Sequence, residues 1–270
     1  MKNILLIGCG HMGNALLRSW LSSKSYNIIV VDNIKYNSLN KKYKNKIYVS
    51  KSISLLKSLK KIDCIILAVK PGDLNDVLNE LSVFSFKSNV SLVSIVAGKK
   101  IMVFKKKLQN VKNFFRVMPN LPASIGQSMN CIVSNHNVDI RRKNSVFKLF
   151  AYSGKTLFLK NENQIDMATA ISGSGPGFIF NLIDAMEKSA EKLGFKKNIS
   201  KILVSQTFKG SINLYLESIS TAKKLVNQVA TKGGTTEAGI KIMNNYKFHK
   251  AFEELTKSAY SRAKKQGKMK

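Results

Sequence analysis

Asn3-Ile4-Leu5-Leu6-Ile7-Gly8-Cys9-Gly10-His11-Met12-Gly13 is a short apolar run that passes directly into a glycine turn. A run of this length, ended by glycine, predicts a buried strand. The turn is a G-x-G-x-x-G. Gly8 permits the tight bend, Gly10 lets the backbone approach a pyrophosphate, and Gly13 lets a helix pack closely on the strand. Ala15 to Leu21 follow with Leu16, Leu17 and Trp20 apolar, which predicts a helix whose first amides point at phosphates. Ile28 to Val31 form a second apolar run, ending at Asp32 about twenty residues beyond the turn. Strand, glycine turn, helix and strand make a βαβ unit that binds a dinucleotide. Gly8, Cys9, Gly10, His11, Met12 and Gly13 are its expected phosphate turn, with His11 shielding the pyrophosphate. Asp32 is expected at the adenine ribose, where a carboxylate accepts hydroxyl hydrogen bonds and repels a 2′-phosphate. Asn33 and Lys35 beside it can serve a 2′-phosphate, so NADH and NADPH both stay open. A turn-forming Asp-Asn pair is the plainer explanation of the same residues.

The alternation continues outward. Ile53 to Leu59 read as a helix, Cys64 to Val69 as a buried parallel strand, and Leu74 to Leu81 as a helix. Val90 to Val96 and Val111 to Val117 read as strands around a lysine-rich helix at Ile101 to Leu108. Cys131 to Ser134 and Thr156 to Leu159 read as late strands, with a helix at about Val138 to Ala151. Beyond Lys160 the pattern is helical only: Ile165 to Ile171, Gly177 to Leu193, Ile199 to Leu216, Ala222 to Val229, Thr236 to Asn244 and His249 to Lys264. The expected fold is α/β: a doubly wound Rossmann domain over residues 1–160, then an all-helical domain over 161–270.

The 270 residues are 44% hydrophobic, enough for a sizeable core. Lys+Arg 45 against Asp+Glu 15 gives a net charge of +30. The lysines are spread along the whole chain and no aromatic-basic module accompanies them. Compositional drift explains them better than a nucleic-acid partner. Cys9, Cys64 and Cys131 are odd in number and fit neither a disulfide framework nor a zinc site. A reducing, cytoplasmic setting is expected. Ile4 to Ile7 is too short for a signal peptide, and no run is long enough to span a bilayer.

Further motifs fall at element ends. Ala68-Val69-Lys70-Pro71 follows a strand, where the ligand crevice of such sheets lies. Ile95-Val96-Ala97-Gly98 ends the next strand in small residues. Arg116-Val117-Met118-Pro119-Asn120-Leu121-Pro122 is a rigid strand-end loop, in which Asn120 either meets a ligand or holds the turn. Ser172-Gly173-Ser174-Gly175-Pro176-Gly177 precedes an amphipathic helix. Pro176 suits the first helical position, leaving free amides at Ser174 and Gly175 for a carboxylate. Thr231-Lys232-Gly233-Gly234-Thr235-Thr236 sets two hydroxyls at another helix start. His11, His136 and His249 are far apart, and no hydrolytic motif is present.

As an ordered set these residues resemble the Δ1-pyrroline-5-carboxylate reductase family. The resemblance rests on Gly8 to Gly13, Ala68 to Pro71, Arg116 to Pro122, Asp166 to Pro176 and Gly233 to Thr236, and covers most of the chain. It implies NADPH- or NADH-dependent reduction of 1-pyrroline-5-carboxylate to L-proline, the last step of proline biosynthesis. It also implies dimers that interlock through the helical domain and often build larger rings. By similarity, Ile95, Val96 and Ala97 line the nicotinamide, and Gln228 lies near the cofactor. Glu162, Ser174, Gly175, Thr235 and Thr236 surround the substrate, and Thr236 is the candidate catalytic partner of the ring nitrogen. The chain departs from the family where Thr231-Lys232 replace Ser-Pro and Gly177-Phe178 replace Ala-Tyr, and in carrying Asp32. A β-hydroxyacid dehydrogenase is the second enzymatic reading, with Lys188 or Lys192 as its catalytic lysine. A non-catalytic nucleotide- or nucleic-acid-binding protein is the third.

Overall fold

The structure is a computed structural model and describes residues 3–23 and 25–267. Strands β1 (Asn3–Ile7), β2 (Asn27–Val31), β3 (Tyr48–Ser50), β4 (Cys64–Leu67), β5 (Ser91–Ser94) and β6 (Asn113–Met118) pair in parallel in the order β3-β2-β1-β4-β5-β6. β7 (Ser128–Ser134) then joins β6 antiparallel, and β8 (Gly154–Phe158) joins β7 in parallel. The doubly wound sheet is therefore as expected, with one change of direction at β7. A 3₁₀ turn, Leu121–Ile125, makes that change in few residues.

Five helices cover the sheet: α1 (His11–Leu21), α2 (Tyr36–Lys42), α3 (Leu74–Ser82), α4 (Ile101–Lys107) and α5 (Ile140–Ala151). Side chains alternate faces along a strand, so a strand covered on both sides must be apolar throughout. In β4, Ile65 and Leu67 pack with Leu78 of α3 and Phe104 of α4, while Cys64 and Ile66 pack with Trp20 of α1 and Phe150 of α5. The buried Trp20 indole donates to the Leu149 carbonyl at 3.0 Å, which satisfies its one polar atom.

The segment Ile53 to Leu59 is not a helix but a chain of turns. Ile53, Leu56 and Leu59 are buried at three-residue spacing, which imitates a helical face. The serines between them bond locally instead: Ser52 and Ser54 hydroxyls meet at 2.8 Å and Ser58 Oγ accepts from the Lys60 amide. α2 and β3, absent from the sequence reading, occupy the polar stretch before it.

α6 (Glu162–Ala168) leads into a π-turn, Thr169–Gly173, and then into α7 (Gly175–Lys192), α8 (Lys197–Glu217), α9 (Ala222–Val229), α10 (Thr235–Asn245) and α11 (Phe248–Gln266). The predicted helix at Ile165 to Ile171 is thus split at Ala168. The chain forms two compact units. One holds the described residues up to Ser174 together with the end of α11 from Ala259, and the other runs from Gly175 to Ser258. In the second unit only Ser200 and Val204 are fully buried among the described residues.

All three cysteines are buried, unpaired thiols. Burial, reinforced by the Asp32 carboxylate, pushes the Cys9 thiol up to about 11. Burial raises Cys64 and Cys131 as well. The thiolate is the reactive form, so native protein is expected to release no chromophore from Ellman's reagent at pH 8. Unfolding in guanidinium should expose all three. Rapid labelling of a native thiol at pH 8 would contradict this burial.

Candidate active site

The glycine turn is clamped between two strand ends. The Gly8 amide donates to Val31 of β2 at 2.8 Å, and the Ala68 amide donates to Ile7 of β1 at 2.8 Å. Gly8 has φ +87°, and a Cβ there would come within 2.7 Å of the Ala68 carbonyl oxygen. A side chain is excluded on both counts. A Cβ on Gly13 would press still more closely on the Gly8 carbonyl oxygen, so α1 sits directly on the turn. Gly10 is different, because nothing lies within 4 Å of where its Cβ would be. As the N-cap of α1 it supplies no side-chain cap, which leaves the first-turn amides open toward an anion.

A cavity of about 750 Å³ opens over this turn. Gly8, Gly10, His11, Asp32, Ala68, Val69 and Lys70 line it, as do Asn33, Lys35, Lys51 and Ser52. Of the other expected cofactor residues, Cys9 and Gly13 are buried beneath the turn, while Met12 is half-buried and Pro71 exposed. Val96 is buried in the core, which leaves Ile95 and Ala97 as the more open pair at the end of β5. Gln228 is exposed on α9 in the second unit. Lys51 and Ser52 were missed in the sequence because β3, which delivers them, was missed; the signal was the short Tyr48-Val49 alternation.

Asp32 spends its carboxylate inside the fold. Oδ2 accepts from the Cys9 amide at 2.7 Å and Oδ1 from the Lys35 amide at 2.8 Å. The turn-forming explanation of Asp32-Asn33 therefore accounts for both oxygens, and Asp32 ties the glycine turn to the end of β2.

Several of the expected substrate residues also have internal partners. Glu162 Oε1 accepts from the Ile101 amide at 3.0 Å, capping α4, and lies 3.6 Å from Arg116 Nη1. The expected free amide at Ser174 is not free: it donates to the Thr169 carbonyl at 2.8 Å and closes the π-turn. The sequence reading placed a fresh helix start there, whereas α6 continues through the wide turn. Gly175 does open α7, and first-turn amides have no acceptor within their own helix. Thr235 and Thr236 begin α10, both exposed, beneath a Gly234 N-cap. The Glu237 carboxylate accepts from the Gly233 amide at 2.9 Å and holds this turn. Of the two lysines open to the hydroxyacid dehydrogenase reading, Lys192 is exposed and Lys188 is a surface residue paired with Asp184 at 2.6 Å. That bond holds its amine above the usual lysine range. Among the described residues no cluster could hold a metal ion, and no helix is long and apolar enough to cross a membrane.

The parallel sheet, the glycine turn and the helical second unit define a nicotinamide-dinucleotide oxidoreductase. Residues 3–98 match the family model described as NADP oxidoreductase, coenzyme F420-dependent, and residues 162–266 match pyrroline-5-carboxylate reductase dimerisation. The pyrroline-5-carboxylate reductase of Haemophilus influenzae is 29% identical over 97% of this chain and 96% of its own. The solved structure of a pyrroline-5-carboxylate reductase from Coxiella burnetii superposes with a TM-score of 0.89 at 27% identity, covering 99% of both chains. That of the Plasmodium falciparum enzyme with NADP bound gives 0.87 at 26%, covering 98% of both. The chain is similar to pyrroline-5-carboxylate reductases over nearly its whole length and is an NAD(P)H-dependent oxidoreductase acting on a C=N bond.

Proposed function

We propose that this chain reduces 1-pyrroline-5-carboxylate to L-proline with NADPH as the preferred donor. The observation that carries the cofactor preference is the engaged Asp32 carboxylate. Both of its oxygens already hold backbone amides, while Lys35 and Lys51 line the same cavity, the Lys51 ammonium resting over the Tyr36 ring at 5.3 Å, and offer their charge to a 2′-phosphate. Each is a point charge suited to phosphate. The open first-turn amides of α1 take the pyrophosphate. When bound, the nicotinamide supplies the hydride that the ring carbon accepts.

The side chains have orienting work to do. The Gly175 amide and Ser174 hydroxyl hold the substrate carboxylate, and Thr235 supports it from the start of α10. The Thr236 hydroxyl hydrogen-bonds the ring nitrogen and keeps the reacting carbon aligned. A second copy of the chain covers the helical unit. Ile179, Phe180, Ile202, Leu214 and Leu216 are exposed on α7 and α8, apolar surface that an isolated copy leaves in water. The matched dimerisation segment supports this self-association, and dimers then assemble into a larger ring. Three unpaired thiols support a reducing, cytoplasmic setting.

Steady-state oxidation of NADPH and NADH with 1-pyrroline-5-carboxylate tests this reading. NADPH should be favoured, and Lys35→Ala with Lys51→Ala should erase most of that preference by weakening NADPH binding about tenfold or more. Thr236→Val should lower kcat/KM about tenfold to hundredfold without changing the melting temperature. Unaltered kinetics in Thr236→Val would remove the hydroxyl from the mechanism, and equal use of both cofactors would remove the role given to the lysines.

A further inference from the structure

The end of β6 carries a row of alternate residues, Arg116, Met118 and Asn120. Each holds a different point of the segment running from α6 through the π-turn. Arg116 Nη2 donates to Asp166 Oδ1 at 2.7 Å. Met118 packs on Gly173, where an added Cβ would come within 2.9 Å of the Met118 Cε. Asn120 Nδ2 donates to the Ser172 carbonyl at 2.9 Å. Alternation along an extended strand puts Arg116 and Met118 on one face, and the backbone is still extended at Asn120, with φ −129° and ψ 172°.

The Ser172 carbonyl needs that donor for a reason visible in the sequence. In a continuous helix it would accept from the amide four residues on, and that residue is Pro176, which has no N–H. A half-buried carbonyl without a partner is costly. The Asn120 amide is aimed at it by β7: Oδ1 accepts from Ser128 Oγ at 3.1 Å and from the Met129 amide at 2.9 Å, which fixes the direction of Nδ2. A π-turn is a wide and rarely used turn that is often found at functional sites, and this one is closed by the Ser174 amide itself. The position of Ser174 is thereby tied to that of Ser172.

We propose that Asn120 is a positioning residue for the substrate. It supplies the hydrogen bond that Pro176 cannot give, and so sets where Ser174 stands, with Met118 limiting the turn from below. The proposal rests on the reading that Ser174 and Gly175 hold the substrate carboxylate. It assigns Asn120 no contact with substrate or cofactor.

Asn120→Asp is the test, because it keeps the shape and the acceptor for Ser128 and Met129 while turning an oxygen against the Ser172 carbonyl. The KM for 1-pyrroline-5-carboxylate should rise about tenfold, as for a hydrogen bond lost and a carbonyl left unpaired. The Kd for NADPH, measured by fluorescence titration without substrate, should stay within about twofold, since the glycine turn is untouched. Gly173→Ala should raise the same KM by pushing the turn off Met118, and adding Met118→Ala should restore most of it. This pair keeps the test open if Asn120→Asp folds poorly. With a wild type that turns over, an unchanged KM in Asn120→Asp, or a Kd for NADPH that rises in step with KM, overturns the proposal. No turnover by the wild type overturns the underlying functional reading instead.

Discussion

Gly8→Ala is expected to lose tight NADPH binding and about 3 kcal/mol of stability. Two costs combine at this position. The backbone is left-handed at φ +87°, and the new Cβ would press on the Ala68 carbonyl at 2.7 Å and on Val69 Cγ1 at 2.9 Å. Neither the carbonyl nor the turn can yield freely. The Ala68 amide is bonded to β1 and the Gly8 amide to β2, so relief would have to break the clamp between strands. A displacement costing about 3 kcal/mol at the pyrophosphate turn corresponds to about a hundredfold loss of affinity. Gly10→Ala separates fold from function. With nothing within 4 Å of its Cβ, it should leave the melting temperature close to wild type while still blocking the close approach of a phosphate. Fluorescence titration with NADPH and thermal unfolding of both variants provide the check. A Gly8→Ala protein that binds NADPH as wild type does would refute the assigned turn.

Arg116→Met is expected to lower the melting temperature by about 10 °C, from a loss of about 3–5 kcal/mol. Arg116 and Asp166 are 4% and 5% exposed, so removing the cation leaves a carboxylate without its ion-pair partner and with little access to water. The effect is that of an orphaned charge and not the net worth of the pair. Arg116→Met combined with Asp166→Leu should therefore recover most of the loss, because a well-packed apolar pair can match a buried ion pair. Arg116→Lys should lie between, since an ammonium replaces the planar fork that also approaches Glu162 at 3.6 Å. Calorimetric melting of the four proteins decides the matter. A single variant melting with wild type would show that the ion pair does not brace α6.

The two halves of the molecule were legible to different depths. The glycine turn, its flanking strands and the apolar run at β4 could be read directly, because a parallel strand covered on both faces must be apolar and a tight turn under a phosphate must be glycine. The short elements around residues 36–60 could not. There, polar residues cover β3 and α2, and Ile53, Leu56 and Leu59 repeat every three residues in turns that have no helical hydrogen bonding. The segment proposed for the substrate stands out by its Ser-Gly-Ser-Gly-Pro sequence, but its conformation does not. Proline and glycine suggest a new helix start, whereas the chain passes through a π-turn that uses the Ser174 amide.

Sequence alone therefore carried the class of fold and the glycine turn between β1 and α1. Those depend on local rules: which residues tolerate a left-handed bend, which lack an amide, and which spacing buries one face. What each polar group does was decided by tertiary structure. Asp32, read as a ribose ligand, is held by the Cys9 and Lys35 amides. Glu162, read as a substrate residue, caps α4. Asn120, left undecided, meets a carbonyl stranded by Pro176. A polar group takes whichever partner the packed chain brings within hydrogen-bonding reach, and partners 50 or 60 residues away in sequence leave no trace in local pattern.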